Sequence, residues 1–598
     1  MPPAEHPADL PSDDMTATAA PGLLLGPMLR HVDRTSATIW VETDAPCAVE
    51  VCGRTSPTFT VHGHHYALVL VDELEPGSTT PYEVALDGVR RWPIDGSTLP
   101  ASTIRTIGSE HGDRPVRLAF GSCRASAPHV PPYTSRLDDH PDGRGVDALR
   151  ALGLRMLDQP VDEWPDLLLM AGDQVYADDS SPGTAARLER RRSNVSTSTP
   201  PDGVVADFEE YTLLYRESWT PEIERWLFST VPSAMIFDDH DMIDDWNISR
   251  SWVDDIRREP WWAEHIVGGL VSYWIHQHLG NLSPGRLREE GMLERCIALG
   301  DATTFLHDWA LGSEEFTPVP GGYQFSYDRH LGDTHVIVMD VRNGRVLEPG
   351  QRRMLDADEW AWVRDRAMEP AEHVVLASSL PVFVPGGLHG IQQWNEAVCD
   401  GAWGTRAARV GERLRRAIDL EGWPAFHRSF TELESLLIEV ATPTPAHRAP
   451  HTLSVVGGDI HFGYVAEVTM PPGCTTTVRQ VVCSPLRNIL RTRDRRVMRF
   501  GASRIGRRIG AGLQARVRRG ATALSWELTD GPIFDDNIGS FCFDGPSCEI
   551  AIDTAVLDDD GREILRPAVR LRAGRSPGTG GSDQSPTERA SRTTVPSS

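Results

Sequence analysis

Residues 166–179 read DLLLMAGDQVYADD: an uninterrupted apolar run that stops at Gly172 and Asp173, followed by Tyr176, Asp178 and Asp179. A run apolar at every position suits a strand buried on both faces, as in an α/β layered domain. The same pattern recurs outward in RLAFGSC, SAMIFDDH, HVIVMDVR, HVVLASSLP and TLSVVGGDIH, with helical patterns such as VDALRALGLRML between them. Each of these strands ends in a polar cluster. Ligand sites in α/β domains form at the carboxyl ends of strands, so these clusters can converge on one cleft.

The informative ends are four. FGSCR places Cys123 and Arg124 just past a strand, and AGDQVYADD supplies Asp173 and Tyr176. FDDHDMIDDWN sets Asp238, Asp239, His240 and Asp241 in a row, followed by Asp244, Asp245 and Asn247; GGDIHFGY offers Asp459 and His461. Carboxylates buried beside apolar strands need a positive charge among them. Thiolate, phenolate, carboxylate and imidazole together make a coordination set for hard or borderline metals. Fe3+ suits Cys123 and Tyr176, because a strongly charged ion is needed to displace their protons near neutral pH; a hard divalent ion suits the carboxylates.

The remaining sequence divides around this core. Short β-rich runs with turn residues at 22–110 predict a small β-sandwich with a fibronectin-like strand pair. The α/β domain is expected over 115–485 and further strands over 531–572, with disordered tails at 1–21 and 573–598 by composition. Between them, 486–530 is expected to hold a basic amphipathic helix: residues 487–519 contain 12 arginines and one acid, Asp494. Apolar residues recur there every three to four positions, although glycines weaken the helix. Such a segment either pairs with the protein's own acidic surface or meets anionic lipid or phosphate, as a peripheral membrane contact.

Charge and composition exclude several functions. The 598 residues carry 59 basic and 85 acidic side chains, a formal net charge of −26, and none of the basic residues is lysine. P-loop NTPases, protein kinases and Schiff-base enzymes all need a lysine. General nucleic-acid binding lacks its basic footprint. No apolar run is as long as a membrane span, the acidic N-terminal stretch is unlike a signal peptide, and nine scattered cysteines without CxxC suit a reducing compartment. A cytoplasmic location is therefore expected. There is no GxSxG elbow for a serine hydrolase.

The order FGSC, GDxxY, DDHD with a following DDWN, and GDxHF resembles that of the PhoD-like (alkaline phosphatase D) metallophosphatases of the calcineurin-like metallophosphoesterase superfamily. YWIHQHLGNL, MDVR and VVCSPLRN are also similar to that family, and the likeness spans roughly 115–485. It implies a four-layer α/β/β/α fold with two metals bridged by Asp173. Cys123, Tyr176 and His461 would complete the iron-type site. Asp239 and Asp459 would face the second metal, and His240 would be the catalytic histidine. Where the superfamily has another histidine ligand, this chain has Ser378, Ser379 and Pro381, which fits an oxygen-rich site for Ca2+.

The implied activity is phosphate-ester hydrolysis, monoester or diester. A hydroxide bridging the metals would be the nucleophile, His240 the acid, and Arg124, Arg342 and Arg487 the candidate phosphate clamps. The loops 125–146 and 178–205 show no recognition motif, so small molecules and lipid head groups stay equally open as substrates, as does the oligomeric state. The alternative is a non-catalytic, metal-stabilised protein that binds anionic lipid through its arginine-rich segment.

Overall fold

Two mixed sheets carry the fold, and both are assembled from the apolar runs described above. The computed structural model describes residues 20–108, 114–193, 199–315, 323–517 and 522–574. The tails expected at 1–21 and 573–598 lie outside these but for two residues each, as do residues 518 and 519 of the arginine-rich segment.

The first sheet runs Ser233–Ile236, Leu167–Ala171, Val116–Gly121, Asn537–Asp544, Ser547–Leu557, Glu563–Gly574. Its first three strands are parallel and the rest antiparallel. The second sheet runs Tyr327–Leu331, Thr334–Met339, His373–Ser378, Thr452–Gly457, Thr477–Val482, Gly463–Thr469, Ser525–Ile533, with four neighbouring strands, Thr334–Met339 through Thr477–Val482, parallel. Every residue of Leu167–Ala171, Thr334–Met339, His373–Ser378 and Thr452–Gly457 is buried, because each strand is covered on both faces. The sheets pack face to face: the Phe543 and His373 rings lie 4.9 Å apart, and Gly539 leaves room for Cys483. Helices Ala148–Leu157 and Ala357–Ala367 cover the outer faces of the first and second sheets, giving the layered α/β/β/α arrangement.

Packed this way, the carboxyl ends of strands from both sheets meet. The Asp459 N–H donates to Ser122 Oγ at 3.1 Å, tying the end of Thr452–Gly457 to the end of Val116–Gly121. A side chain on Gly458 would strike Ser122, so only glycine fits at this crossing.

Residues 22–105 form two four-stranded sheets and a two-stranded ribbon around their own apolar core, which includes Leu29, Ile39, Val69 and Val84. This sandwich is fixed to the α/β layers by buried polar contacts. Arg30, fully buried, donates to the Gln277 carbonyl and to Asn281 Oδ1. His64 lies between Glu42 of the sandwich and Glu209 of the helix Phe208–Trp219, whose Arg216 also pairs with Glu42.

Two boundaries drawn from the sequence do not follow the sheets. The strands expected as a separate unit at 531–572 pair with Val116–Gly121 and complete the first sheet. Ser525–Ile533, expected within a helical segment, is the last strand of the second. The single expected helix is two, Thr492–Ala502 and Arg504–Arg516, with Ser503 Oγ capping the second by accepting from the Gly506 N–H. Among the described residues, no helix is long and apolar enough to cross a membrane.

Candidate metal centre

The six predicted metal ligands meet at the joined strand ends. Ligand atoms of Cys123, Asp173 and His461 lie within 4.8 Å of one another, and so do those of Asp173, Asp238, Asp239 and Asp459. Asp173 belongs to both groups, the position a bridging carboxylate requires. Tyr176 is buried against Cys123, its ring 4.8 Å from that of His240.

The backbone here is unusual. Cys123, Asp173, Asp459 and His461 all have positive φ, between 51° and 63°. Non-glycine residues seldom adopt this left-handed region, and each such residue costs about 1–3 kcal/mol unless its surroundings hold it there. Here they do: the Cys123 and Arg124 N–H groups donate to the Gly172 and Asp173 carbonyls, clamping two of the sharp turns together. Asp241, read from the sequence only as part of the acidic run, fastens the next pair. Its carboxylate accepts from the N–H groups of Asp173, Gln174, Val175 and Asp238, and from Gln277 Nε2. Gln277 lies on the π-helical turn Trp274–His278, within the YWIHQHLGNL phrase.

The donor atoms fit metal. Both carboxylate oxygens of the fully buried Asp173 lack a hydrogen-bond partner. Tyr176 Oη makes no well-formed hydrogen bond, and burial, then Cys123 and Asp173, push its phenol far above its ordinary value. Burial, then the neighbouring carboxylates Asp173 and Asp459, push the Cys123 thiol far above its ordinary value. Burial raises Asp173 and Asp459 in the same way, and Asp238 to about 6. His461 is driven down to about 4, mainly by burial, so it is a neutral imidazole able to ligate. A pocket that disfavours these anions, with both Asp173 oxygens, Asp238 Oδ2 and Asp239 Oδ1 lacking hydrogen bonds, suits a cation. The Cys123 sulfur also receives hydrogen bonds that suit a thiolate, from Ser484 Oγ at 3.3 Å and with Ser122 Oγ at 3.2 Å.

His240 stands at the edge of this pocket with a quarter of its side chain exposed, and Nδ1 lies 2.9 Å from Asp178 Oδ1. Burial works against its cation, but Asp178 foremost, then Asp239 and Asp173, hold its pKa well above 6.5.

The arginines correct the expectation of phosphate clamps. Arg124 is buried, with its guanidinium held by Asp147, Glu224 and the Ser218 carbonyl. Arg487 donates to the carbonyls of Gly145, Ala127 and Pro128. Neither faces the metal pocket, because each is committed to folding a loop. Arg342 does reach the pocket, but fully buried among carboxylates: it pairs with Asp238 and Glu421, and its Nη2 is 3.0 Å from Asp239 Oδ1 and 3.9 Å from Asp459 Oδ1. It acts as a counter-charge within the second group of ligands. Of the serines standing where a histidine ligand was expected, Ser378 Oγ accepts from Trp423 Nε1, while Ser379 Oγ is buried without a partner.

Sequence reasoning gave no role to Asp178, Asp238, Asp241, Ser122, Ser484 or Glu421. The first three lie within the acidic runs quoted above, and Ser122 and Ser484 sit inside the FGSC and VVCSPLRN phrases. Glu421 carried no signal at all.

The layered mixed sheets thus gather carboxylate, thiol, phenol and imidazole groups at their strand ends. Residues 150–267 match the family described as PhoD-like phosphatase. Residues 20–104 match a domain of unknown function, DUF7800. A solved structure titled "Structure of PhoD" shares the fold over 94% of this chain and 92% of its own, with a TM-score of 0.54 at 11% identity. No curated protein sequence matches the chain.

Proposed function

We propose that the protein is a metal-dependent phosphate-ester hydrolase, and the observation that carries this reading is Asp173 shared between two clusters of buried ligand atoms. Cys123, Tyr176, Asp173 and His461 would hold one ion, best Fe3+, since a thiolate and a phenolate together need a strongly charged metal. Asp173, Asp238, Asp239 and Asp459 would hold a second, hard divalent ion such as Ca2+. Bound by these residues, such ions would supply Lewis acidity toward a phosphate ester and acidify a bound water.

The chain's own part is proton management and orientation. Asp178 fixes His240 through Nδ1 and so leaves Nε2 as the atom that gives a proton to the departing alkoxide. Asp241 keeps Asp173 in its left-handed turn. Arg342 lowers the charge of the carboxylate group, which keeps an incoming phosphate from being repelled. The match to the PhoD-like phosphatase family supports ester hydrolysis; monoester, diester and lipid head group are alternatives that the loops 125–146 and 178–205 would decide.

The test is metal analysis of purified protein together with hydrolysis of p-nitrophenyl phosphate and its bis-ester. Stoichiometric metal and turnover that both disappear in Asp173→Ala are expected. Undiminished turnover in that variant, or in His240→Ala with an alkyl phosphate, would refute the assignment.

A further inference from the structure

The arginine-rich segment carries charge that the rest of the molecule leaves unanswered. Helices Thr492–Ala502 and Arg504–Arg516 fold back on the helix Gly386–Cys399, and they touch it backbone to backbone. A Cβ on Gly387 would stand 2.4 Å from the Gly501 carbonyl oxygen, and one on Gly390 would be 2.4 Å from the Gly510 carbonyl carbon. Gly501, Gly506 and Gly510 are the buried residues of the two helices. The glycines that weaken the helices in isolation are therefore their contact face, and most larger side chains, Met498, Arg495 and Gln514 apart, are turned outward.

Four of those outward side chains are apolar. Val497, Phe500, Ile505 and Ile509 are 62, 51, 62 and 46% exposed. Val497 and Phe500 are three residues apart and Ile505 and Ile509 four, so each helix carries one apolar row. Arg496 adjoins the first row, and Arg504 and Arg508 form a row beside the second. Within the described part of the segment, only Arg493 and Arg495 form ion pairs, with Asp494 and Asp138. Arg496, Arg504, Arg507, Arg508 and Arg516 are exposed and form none among the described residues. The protein's own acidic surface, an available partner on a chain of net charge −26, has not been used to neutralise them.

We infer that this helix pair is a docking surface for an anionic membrane. Arginines beside exposed isoleucine, valine and phenylalanine match a bilayer interface, where guanidinium groups meet headgroup phosphates and apolar side chains enter the acyl boundary. A nucleic-acid duplex would answer the arginines but leave the apolar rows in water. Elsewhere the chain is net acidic, so repulsion by the same membrane would favour this face alone.

Flotation of the full metal-loaded chain with phosphatidylcholine vesicles, with and without phosphatidylglycerol, tests this. Binding should require phosphatidylglycerol and weaken as salt rises. R504S–R508S should lower the partition coefficient by roughly 25-fold, at about fivefold per arginine. I505S–I509S should lower it while leaving the salt dependence in place. Equal binding to pure phosphatidylcholine, or undiminished binding by both double variants, overturns the proposal. So does a short DNA duplex that displaces the protein from the vesicles, or free inorganic phosphate that releases it at equal ionic strength. Should a variant fail to fold, the lipid and salt dependence of the unaltered chain decides the same question.

Discussion

His240 Nδ1 and Asp178 Oδ1 are 2.9 Å apart, and the same carboxylate accepts the Asp244 N–H at 2.6 Å, so the imidazole is tethered to the loop that follows it. The other ring nitrogen, Nε2, stands 3.9 Å from Asp244 Oδ1, beyond hydrogen-bond reach. If this tether positions a general acid, Asp178→Asn should lower kcat by roughly 10–100-fold with KM and bound metal little changed. The loss should be larger for an alkyl than for a p-nitrophenyl leaving group. Equal losses for both would make Asp178 merely structural.

Arg342 gives a prediction about charge rather than rate. Removing it leaves Asp238 and Asp239 without their buried counter-charge, while Glu421 keeps Arg345 at 3.0 Å, so Arg342→Met should destabilise metal-free protein by about 3–5 kcal/mol. Divalent ions should restore more stability to the variant than they add to the parent, because they answer the same carboxylates. Thermal unfolding with and without chelator measures both.

Tyr176 tests the identity of the metal. With Fe3+ in place, a phenolate ligand gives a visible charge-transfer band, and Tyr176→Phe should abolish it while iron remains by elemental analysis. A colourless, iron-free parent protein would reject Fe3+.

The sandwich interface should respond to alkali. His64 lies between Glu209 and Glu42; although burial opposes its charge, the two carboxylates raise its pKa to about 9. A group whose pKa is raised on folding contributes fully below its unfolded value near 6.5 and loses that contribution as pH rises through about 9. His64→Gln should therefore cost about 1–2 kcal/mol at pH 6, allowing for solvent screening. The gap should close by about pH 10. Denaturant titrations of both proteins across this range supply the check.

Gly390 offers a test of helix docking. Its Cα hydrogen faces the Gly510 backbone, so Gly390→Ala should push Arg504–Arg516 away at a cost of about 1–3 kcal/mol. Faster tryptic cleavage at the arginines of that helix is expected.

What the sequence disclosed follows from the range of the interactions involved. The strand-end clusters were readable because a doubly buried strand must be apolar throughout and must stop where polar residues begin. Cys123, Asp173, Asp459 and His461 stood out at strand ends for that reason, and the structure gathers them; Asp239 was singled out from its acidic run only by the family resemblance. Arg124 and Arg487 were misread because a buried guanidinium and a solvent-facing one have the same local sequence; only the fold brings Asp147 and Glu224 to Arg124. The Asp178–His240 pair joins two loops 62 residues apart, and no periodicity records it. Likewise, the glycines at 501, 506 and 510 count against a helix until the glycines of Gly386–Cys399 are placed opposite them.

The pairing of Val116–Gly121 with Asn537–Asp544 also bears on how the protein is made. The strand that delivers Cys123 has Leu167–Ala171 on one side soon after synthesis, but its other edge stays open until roughly four hundred further residues have left the ribosome. Through that interval an apolar strand edge is free to pair wrongly, as late long-range pairing makes chains prone to aggregate. The strand that carries Cys123 thus gains its second partner only after Asp459 and His461, the last of the clustered groups in chain order, have already been made.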